Sequence, residues 1–328
     1  MSDRAPRTIR WGIIGCGEVA EVKSGPAFQK AAHSTLVAVM RRDAAGAEDF
    51  AHRQGVPRWH TDADAILKAA DIDAVYIATL PDTHRDYAER AAAAGKAVYV
   101  EKPMAMNAAE CDTMIAACAA AGVPLWVGYY RRALPRFLAV CDLLREGAIG
   151  EVREVVSMQT QRAPDPRAPG AWRRDAARAG GGPFFEGVVH TLDLLDFFFG
   201  PLEVVASTAR ARGEDCRLED LVEARYRFAS GVIGRGRWDF AAHADCEVNE
   251  IVGTRGRLRF STTRDVPIEC WRSDGREVIP LADPRHVHQP LIQTIVDEFN
   301  GLGRCPSTGE SAARTARVVD RILAPLRR

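Results

Sequence analysis

Neither sign of charge is in excess, no two cysteines are spaced for a metal or a redox dithiol, and no apolar run is long enough to cross a bilayer. Lysine plus arginine total 44, as do aspartate plus glutamate, so net charge does not draw the chain to nucleic acid or anionic lipid. A small-molecule partner is expected instead. Cys16, Cys111, Cys118, Cys141, Cys216, Cys246, Cys270 and Cys305 are scattered without a Cys-x-x-Cys pair, which points to reduced, packed thiols. The opening Met-Ser-Asp-Arg-Ala-Pro-Arg has no apolar signal core, and no later run approaches the ~20 residues of a membrane helix. A soluble cytoplasmic protein without nucleic-acid or membrane partners is expected. His286-x-His288 is spaced like a ligand pair, but no third ligand stands at suitable spacing, so no metal is expected. Internal repeats and low-complexity segments are lacking too.

What is present is a chain of 328 residues, above the size at which single cores stop growing, so two domains are expected. Residues 9–20 run an apolar strand into Gly15-x-Gly17-x-x-Ala20. Gly15 permits the tight turn, Gly17 lets backbone approach a pyrophosphate, and Ala20 allows close packing of helix on strand. The helix opening at Glu18 and Val19 aims its first N–H groups at the anion. Short apolar runs at 36–40, 72–79, 97–100 and 124–128 alternate with helices, one opened by Pro81 and closed by Gly95, another capped by Asn107 and closed by Gly122. This alternation predicts a doubly wound parallel sheet with its ligand at the carboxyl ends of the strands.

After about Gly150 the pattern changes. Strands are expected at 151–161, 203–211, 221–240 with a turn at Ser230-Gly231, and 248–260 with a turn near Arg255-Gly256. A hairpin at 273–275 and helices over 290–302 and 311–326 follow, with loops at 163–170 and 180–183. The fold expected is α/β: an N-terminal Rossmann domain over 1–128, then an α+β domain over 129–328 with a largely antiparallel open sheet.

Glu101-Lys102-Pro103 ends the run at 97–100, and Gly180-Gly181-Gly182-Pro183-Phe184-Phe185-Glu186-x-x-x-His190-x-x-Asp193 comes later. In this ordered set the chain resembles the Gfo/Idh/MocA oxidoreductases over essentially its whole length. The resemblance implies an NAD(P)-binding domain and a substrate-binding and oligomerisation domain, assembled as a homodimer or homotetramer. It also implies hydride transfer between nicotinamide and a sugar, polyol, inositol or related cyclic alcohol or ketone. A dinucleotide-sensing scaffold and a glycoside-cleaving or eliminating enzyme using transient hydride transfer stay open as alternatives.

Oxidising a secondary alcohol requires the hydroxyl proton to leave through a nearby group. Lys102 at a strand end can stabilise a developing alkoxide, and His190 can accept or return the proton, since an unperturbed imidazole has its pKa near working pH. Glu186, one helical turn from His190, brings a carboxylate beside the imidazole. The family usually has Asp at that position. Asp193 is a further candidate for orienting the ring.

Arg41 stands where an acidic residue would usually meet the adenosine ribose, and Arg41 with Arg42 favours NADP over NAD by gripping a 2′-phosphate. The competing reading bends Asp43 back to the ribose. The resemblance places Thr79, Pro81 and His84 in the cofactor-edge loop, His84 either shaping that loop or touching ligand, with Glu101 and Lys102 beside the nicotinamide. It suggests substrate contacts from Tyr130, where relatives often have Asn, and from Arg131, Trp172 and Arg173. Arg162, at the exit from a predicted strand, is a candidate contact to a sugar hydroxyl or carboxylate.

Overall fold

The computed structural model describes residues 5–163, 171–212 and 218–326, so Cys216 and most of the expected loop at 163–170 lie outside the described residues. The chain forms two compact units, Met1–Leu134 with Pro284–Ala313, and Pro135–Asp283 with Arg314–Arg328.

The first unit holds β1 (Ile9–Ile14), β2 (Ser34–Met40), β3 (Arg58–His60), β4 (Ala74–Ile77), β5 (Ala97–Val100) and β6 (Leu125–Val127). They form a parallel sheet in the order β3-β2-β1-β4-β5-β6, the doubly wound order with its switch point between β1 and β4. Strands covered on both faces are apolar throughout, and every residue of β4 and β5 is buried. Helices α1 (Gly25–Lys30), α2 (Ala44–Gln54), α3 (Asp64–Leu67), α4 (His84–Ala93) and α5 (Ala108–Ala120) connect them. Asn107 caps α5 by accepting the Glu110 N–H at 2.9 Å. In the core, Trp11 lies 4.8 Å from Phe28, and Tyr76 stacks on Tyr99 at 4.8 Å between ring centres.

The second unit holds α6 (Pro135–Arg145), β7 (Val152–Arg162), α7 (Ala176–Ala179), α8 (Val189–Phe199), β8 (Leu202–Arg210), β9 (Leu221–Phe228), β10 (Ile233–Ala242), β11 (Cys246–Gly253), β12 (Gly256–Phe260), β13 (Ile268–Arg272) and β14 (Gly275–Ile279). Its sheet runs β14-β13-β12-β11-β7-β10-β9-β8. β7 and β10 pair in parallel and the other neighbours are antiparallel. Side chains alternate: along β9, Val222, Ala224, Tyr226 and Phe228 are buried while Glu223, Arg225 and Arg227 are exposed. One face is therefore core and the other open.

Two helices close the chain, α9 (Gln289–Phe299) and α10 (Gly309–Leu323). α9 buries Leu291, Ile292, Ile295 and Val296 and packs against α1, and Thr308 bridges antiparallel to Trp126 beside β6. Residues 284–313 thus pack with the first unit, unlike the single boundary after residue 128 drawn from sequence. An apolar stripe states that a helix has a partner, not which partner. Within the second unit, an ion pair of 3.0 Å joins the buried Arg136 to the partly buried Asp283, both next to points where the chain passes between units.

Candidate active site

Five strand ends supply the site residues of the first unit. Gly15 follows β1 at φ +95°, and a Cβ there would stand 2.8 Å from Thr79 Cγ2 and 2.9 Å from the Ala78 carbonyl. Only glycine fits both the conformation and the contact. At Gly17 a Cβ would meet no atom within 4 Å, which leaves room for a ligand to reach the backbone. Glu18 and Val19 open the helix as expected, and Ala20 is buried. The helix then widens into a π turn over Ala20–Ser24 ahead of Pro26, which has no N–H to donate. These features fit a dinucleotide pyrophosphate.

At the end of β2, Asp43 caps α2 by accepting the Gly46 N–H at 3.1 Å. Its Oδ2 is therefore engaged by the helix, and Arg41, 48% exposed, lies 3.9 Å from it. After β4, the Thr83 hydroxyl donates to Thr79 Oγ1 at 2.8 Å, and Pro81 is buried at the start of a 3₁₀ turn. His84 Nδ1 and Nε2 lie 3.0 and 3.1 Å from the carbonyl oxygens of Pro103 and Thr79.

After β5, Glu101 is 6% exposed and anchors a buried polar web. Its carboxylate accepts the Tyr76 hydroxyl and the Lys102 amide N–H at 3.1 Å, and faces His288 Nε2 at 3.5 Å. The Tyr99 hydroxyl meets His288 Nδ1 at 2.9 Å. Burial pushes His288 down to about 4 against the pull of Glu101, with Lys23, Arg131 and Lys102 adding to the depression, so the imidazole is neutral. Burial followed by the Glu101 charge raises the Tyr76 phenol well above its usual range, and Tyr99 likewise. Lys102, half-buried, precedes a cis bond to Pro103. After β6, Tyr130 packs on His288 with ring centres 4.5 Å apart, and the Arg131 guanidinium lies 4.8 Å over the Tyr130 ring.

In the second unit the acid and histidine sit on a helix that is not uniform. A π turn spans Phe184–Val188 and α8 begins at Val189, so Glu186 is displaced from the α-helical i,i+4 register expected with His190. Glu219 fixes the start of this segment, its buried carboxylate accepting the N–H groups of Gly182 and Phe185, each at 2.8 Å. A Cβ on Gly182 would stand 2.4 Å from the Glu219 carbonyl oxygen, which explains the glycine at that position. Arg173 Nε donates to Glu186 at 2.7 Å and its guanidinium covers the Trp172 ring at 4.5 Å. His190 is buried, Asp193 accepts from the Thr315 hydroxyl at 3.4 Å, and Asp196 holds Arg314 through two bonds of 2.9 and 2.7 Å.

The sequence model of the oxidoreductase family with an NAD-binding Rossmann fold, GFO_IDH_MocA, matches residues 9–129, and that of the GFO/IDH/MocA C-terminal domain matches residues 137–259. Oxidoreductase P35 of Formosa agariphila is 38% identical over 315 residues, 95% of this chain and 97% of that protein. The chain belongs to the Gfo/Idh/MocA family. Inositol 2-dehydrogenase of Rhizobium meliloti is 35% identical, over 84% of this chain and 82% of that protein. The solved aldose-aldose oxidoreductase of Caulobacter crescentus, complexed with glycerol, superimposes with a TM-score of 0.86 at 26% identity, covering 98% of each chain.

This Gfo/Idh/MocA protein is an NAD(P)-dependent oxidoreductase whose Rossmann sheet lies in the first unit. Of the residues singled out in its sequence, the first unit gathers Gly15, Thr79 and His84, with His84 reaching Pro103, and Glu101, Tyr130 and Arg131 around His288. Trp172, Arg173 and Glu186 form a second group. Arg162 ends β7, where its N–H groups meet Asp245 Oδ1 at 2.8 Å and the His243 carbonyl at 3.1 Å, and Arg42 is exposed. Sequence reasoning missed His288, Glu219, Tyr76 and Tyr99. The equivalent register of Tyr76 and Tyr99 on adjacent strands was a usable signal, whereas nothing near Glu219 in the chain announced its role. Among the described residues no three His, Cys, Asp or Glu side chains gather as metal ligands, and no helix is long and apolar enough to cross a membrane.

Proposed function

We propose that the protein transfers a hydride between nicotinamide, NADP(H) in preference to NAD(H), and a secondary alcohol or ketone of a sugar, polyol or inositol, with Lys102 and His190 handling the proton. The observation that carries this reading is Lys102 at the carboxyl end of β5, its backbone N–H fixed by the buried Glu101 carboxylate. The bound cofactor accepts or supplies the hydride. In oxidation the Lys102 ammonium donates a hydrogen bond to the carbinol oxygen and stabilises the charge that develops there. His190 takes the hydroxyl proton as the C–H electron pair departs, and in reduction returns it. Glu186, held by Arg173, supplies a fixed negative charge on the segment that leads into His190.

The preference for NADP(H) rests on Arg41, half-exposed at the end of β2, and on Asp43 being committed to the cap of α2. The inositol and aldose activities named for the relatives support a polyhydroxylated substrate. The first unit then carries the cofactor and the second the substrate and self-association. The open sheet face, with Ile233 and Met158 among its exposed apolar side chains, suits a second copy in a cytoplasmic dimer or tetramer, which light scattering would detect or refute.

The deciding experiment follows reduced-nicotinamide absorbance with NADP or NAD against sugars, inositols and polyols. Turnover with NADP on one such class is the expected result. Purified protein that binds neither dinucleotide would overturn the reading.

A further inference from the structure

We propose that His84 is a positioning residue that clasps the turn carrying Lys102 to the loop after β4. The inference rests on the reading of Lys102 as the proton-handling group.

His84 is the first residue of α4 and is 1% exposed. Its two ring nitrogens face two backbone carbonyls, Pro103 at 3.0 Å and Thr79 at 3.1 Å. Those carbonyls lie just past the ends of adjacent strands, whose last residues Ile77 and Val100 are in register. The same Thr79 side chain closes over Gly15 in the phosphate-binding turn. One imidazole therefore joins the turn after β1, by way of Thr79, to the turn after β5 that holds Lys102. With both ring nitrogens facing protein carbonyls, the ring has no polar edge left for a ligand.

Burial pushes the imidazole below its usual pKa, opposed by the Thr79 and Pro103 carbonyls and by the Glu101 carboxylate. The neutral ring carries one N–H and so donates to one carbonyl at a time, with the tautomer deciding which. Each half of the clasp is separable. An asparagine amide reaches roughly where Nδ1 lies, towards Pro103, and a glutamine amide roughly where Nε2 lies, towards Thr79. Leaving the bonded carbonyl without its donor is costly, so losing the ring's single N–H loosens the Lys102 turn.

The test uses full-length His84→Phe, His84→Asn and His84→Gln. Trace acetylation read by peptide mass spectrometry gives the reactivity of the Lys102 amine relative to the exposed Lys30 and Lys68, without needing substrate, and kcat and KM are measured on the best alcohol. In His84→Phe the relative reactivity of Lys102 is expected to change at least threefold and kcat to fall at least tenfold, while KM moves less than threefold. His84→Asn and His84→Gln should each recover part of both. Lys102 reactivity equal to wild type in His84→Phe overturns the proposal, as does a proportional loss in all three variants with no rescue. Should the phenylalanine variant fail to fold, intermediate Lys102 reactivity in the two amide variants supports the clasp and wild-type reactivity in both overturns it. A wild-type protein that turns over no alcohol, yet whose Lys102 responds to His84, keeps the clasp and removes the hydride-transfer reading.

Discussion

The ends of the parallel sheet and the open face of the eight-stranded sheet are both dense in charge, but burial gives that charge opposite meanings. At the end of β5, one carboxylate, two phenols and an imidazole are all but closed to water, and each is satisfied by another. Groups buried this way cannot be exchanged singly at no cost, because the partner left behind loses a hydrogen bond that water cannot replace. On the open face, Arg235–Glu154 and Arg237–Glu223 sit with side chains at least one-third exposed, where an ion pair contributes about 0–1 kcal/mol. Buried charge thus fixes geometry, and exposed charge chiefly keeps a sheet face wet.

The strongest attack on this contrast is Lys102→Met. With Glu101 still holding the turn, kcat should fall by roughly 10²–10⁴, the usual range for losing an acid–base group, while dinucleotide affinity from fluorescence titration stays close to wild type. A large loss of affinity instead would mean that Lys102 serves the cofactor rather than the proton.

Acid tests the buried web itself. The His288 pKa lies near 4 in the folded protein against about 6.5 when unfolded. Between these values the unfolded chain binds a proton that the folded chain refuses, so stability is full above about pH 6.5 and falls as pH drops towards 4. The loss is about 3 kcal/mol. Urea melts across that window should show the slope in wild type and a shallower one in His288→Asn. Equal slopes would remove His288 as the source.

Arg41→Ala probes a half-exposed charge that the proposed function assigns to the cofactor's 2′-phosphate. A charge-assisted hydrogen bond contributes about 1.5–3 kcal/mol, so NADP(H) affinity should drop on the order of tenfold or more with NAD(H) nearly unchanged. An equal loss for both cofactors would contradict the 2′-phosphate role. Smallest is the stability effect of Arg173→Ala, whose pair with Glu186 is about one-third exposed. Thermal melting should change by less than about 1 kcal/mol, and a larger loss would show that this pair behaves like the buried web.

Much of the first unit was legible because its signals are local. The all-apolar β4 and β5, the Asn107 cap and the closing Gly95 and Gly122, both at positive φ, are each written in a few consecutive residues. β3 was missed because Arg-Trp-His is short and only partly buried. The candidate site was half legible: the glycine turn, Lys102 and the acid–histidine segment have sequence signatures. His288 looked like half of a metal pair, and its true partners, Tyr99 and Glu101, are 189 and 187 residues away with no pattern linking them.

By itself the sequence determined the strand and helix alternation, the phosphate-binding turn, the alternating strands of the second sheet and the lysine at a strand end, since each depends on backbone sterics or periodicity within one segment. Only the tertiary structure decided that residues 284–313 complete the first unit, that a π turn displaces Glu186, and that His84 and His288 are held among carbonyls, phenols and a carboxylate. Those outcomes depend on which distant groups are desolvated together, and desolvation is a property of the packed molecule rather than of any stretch of chain.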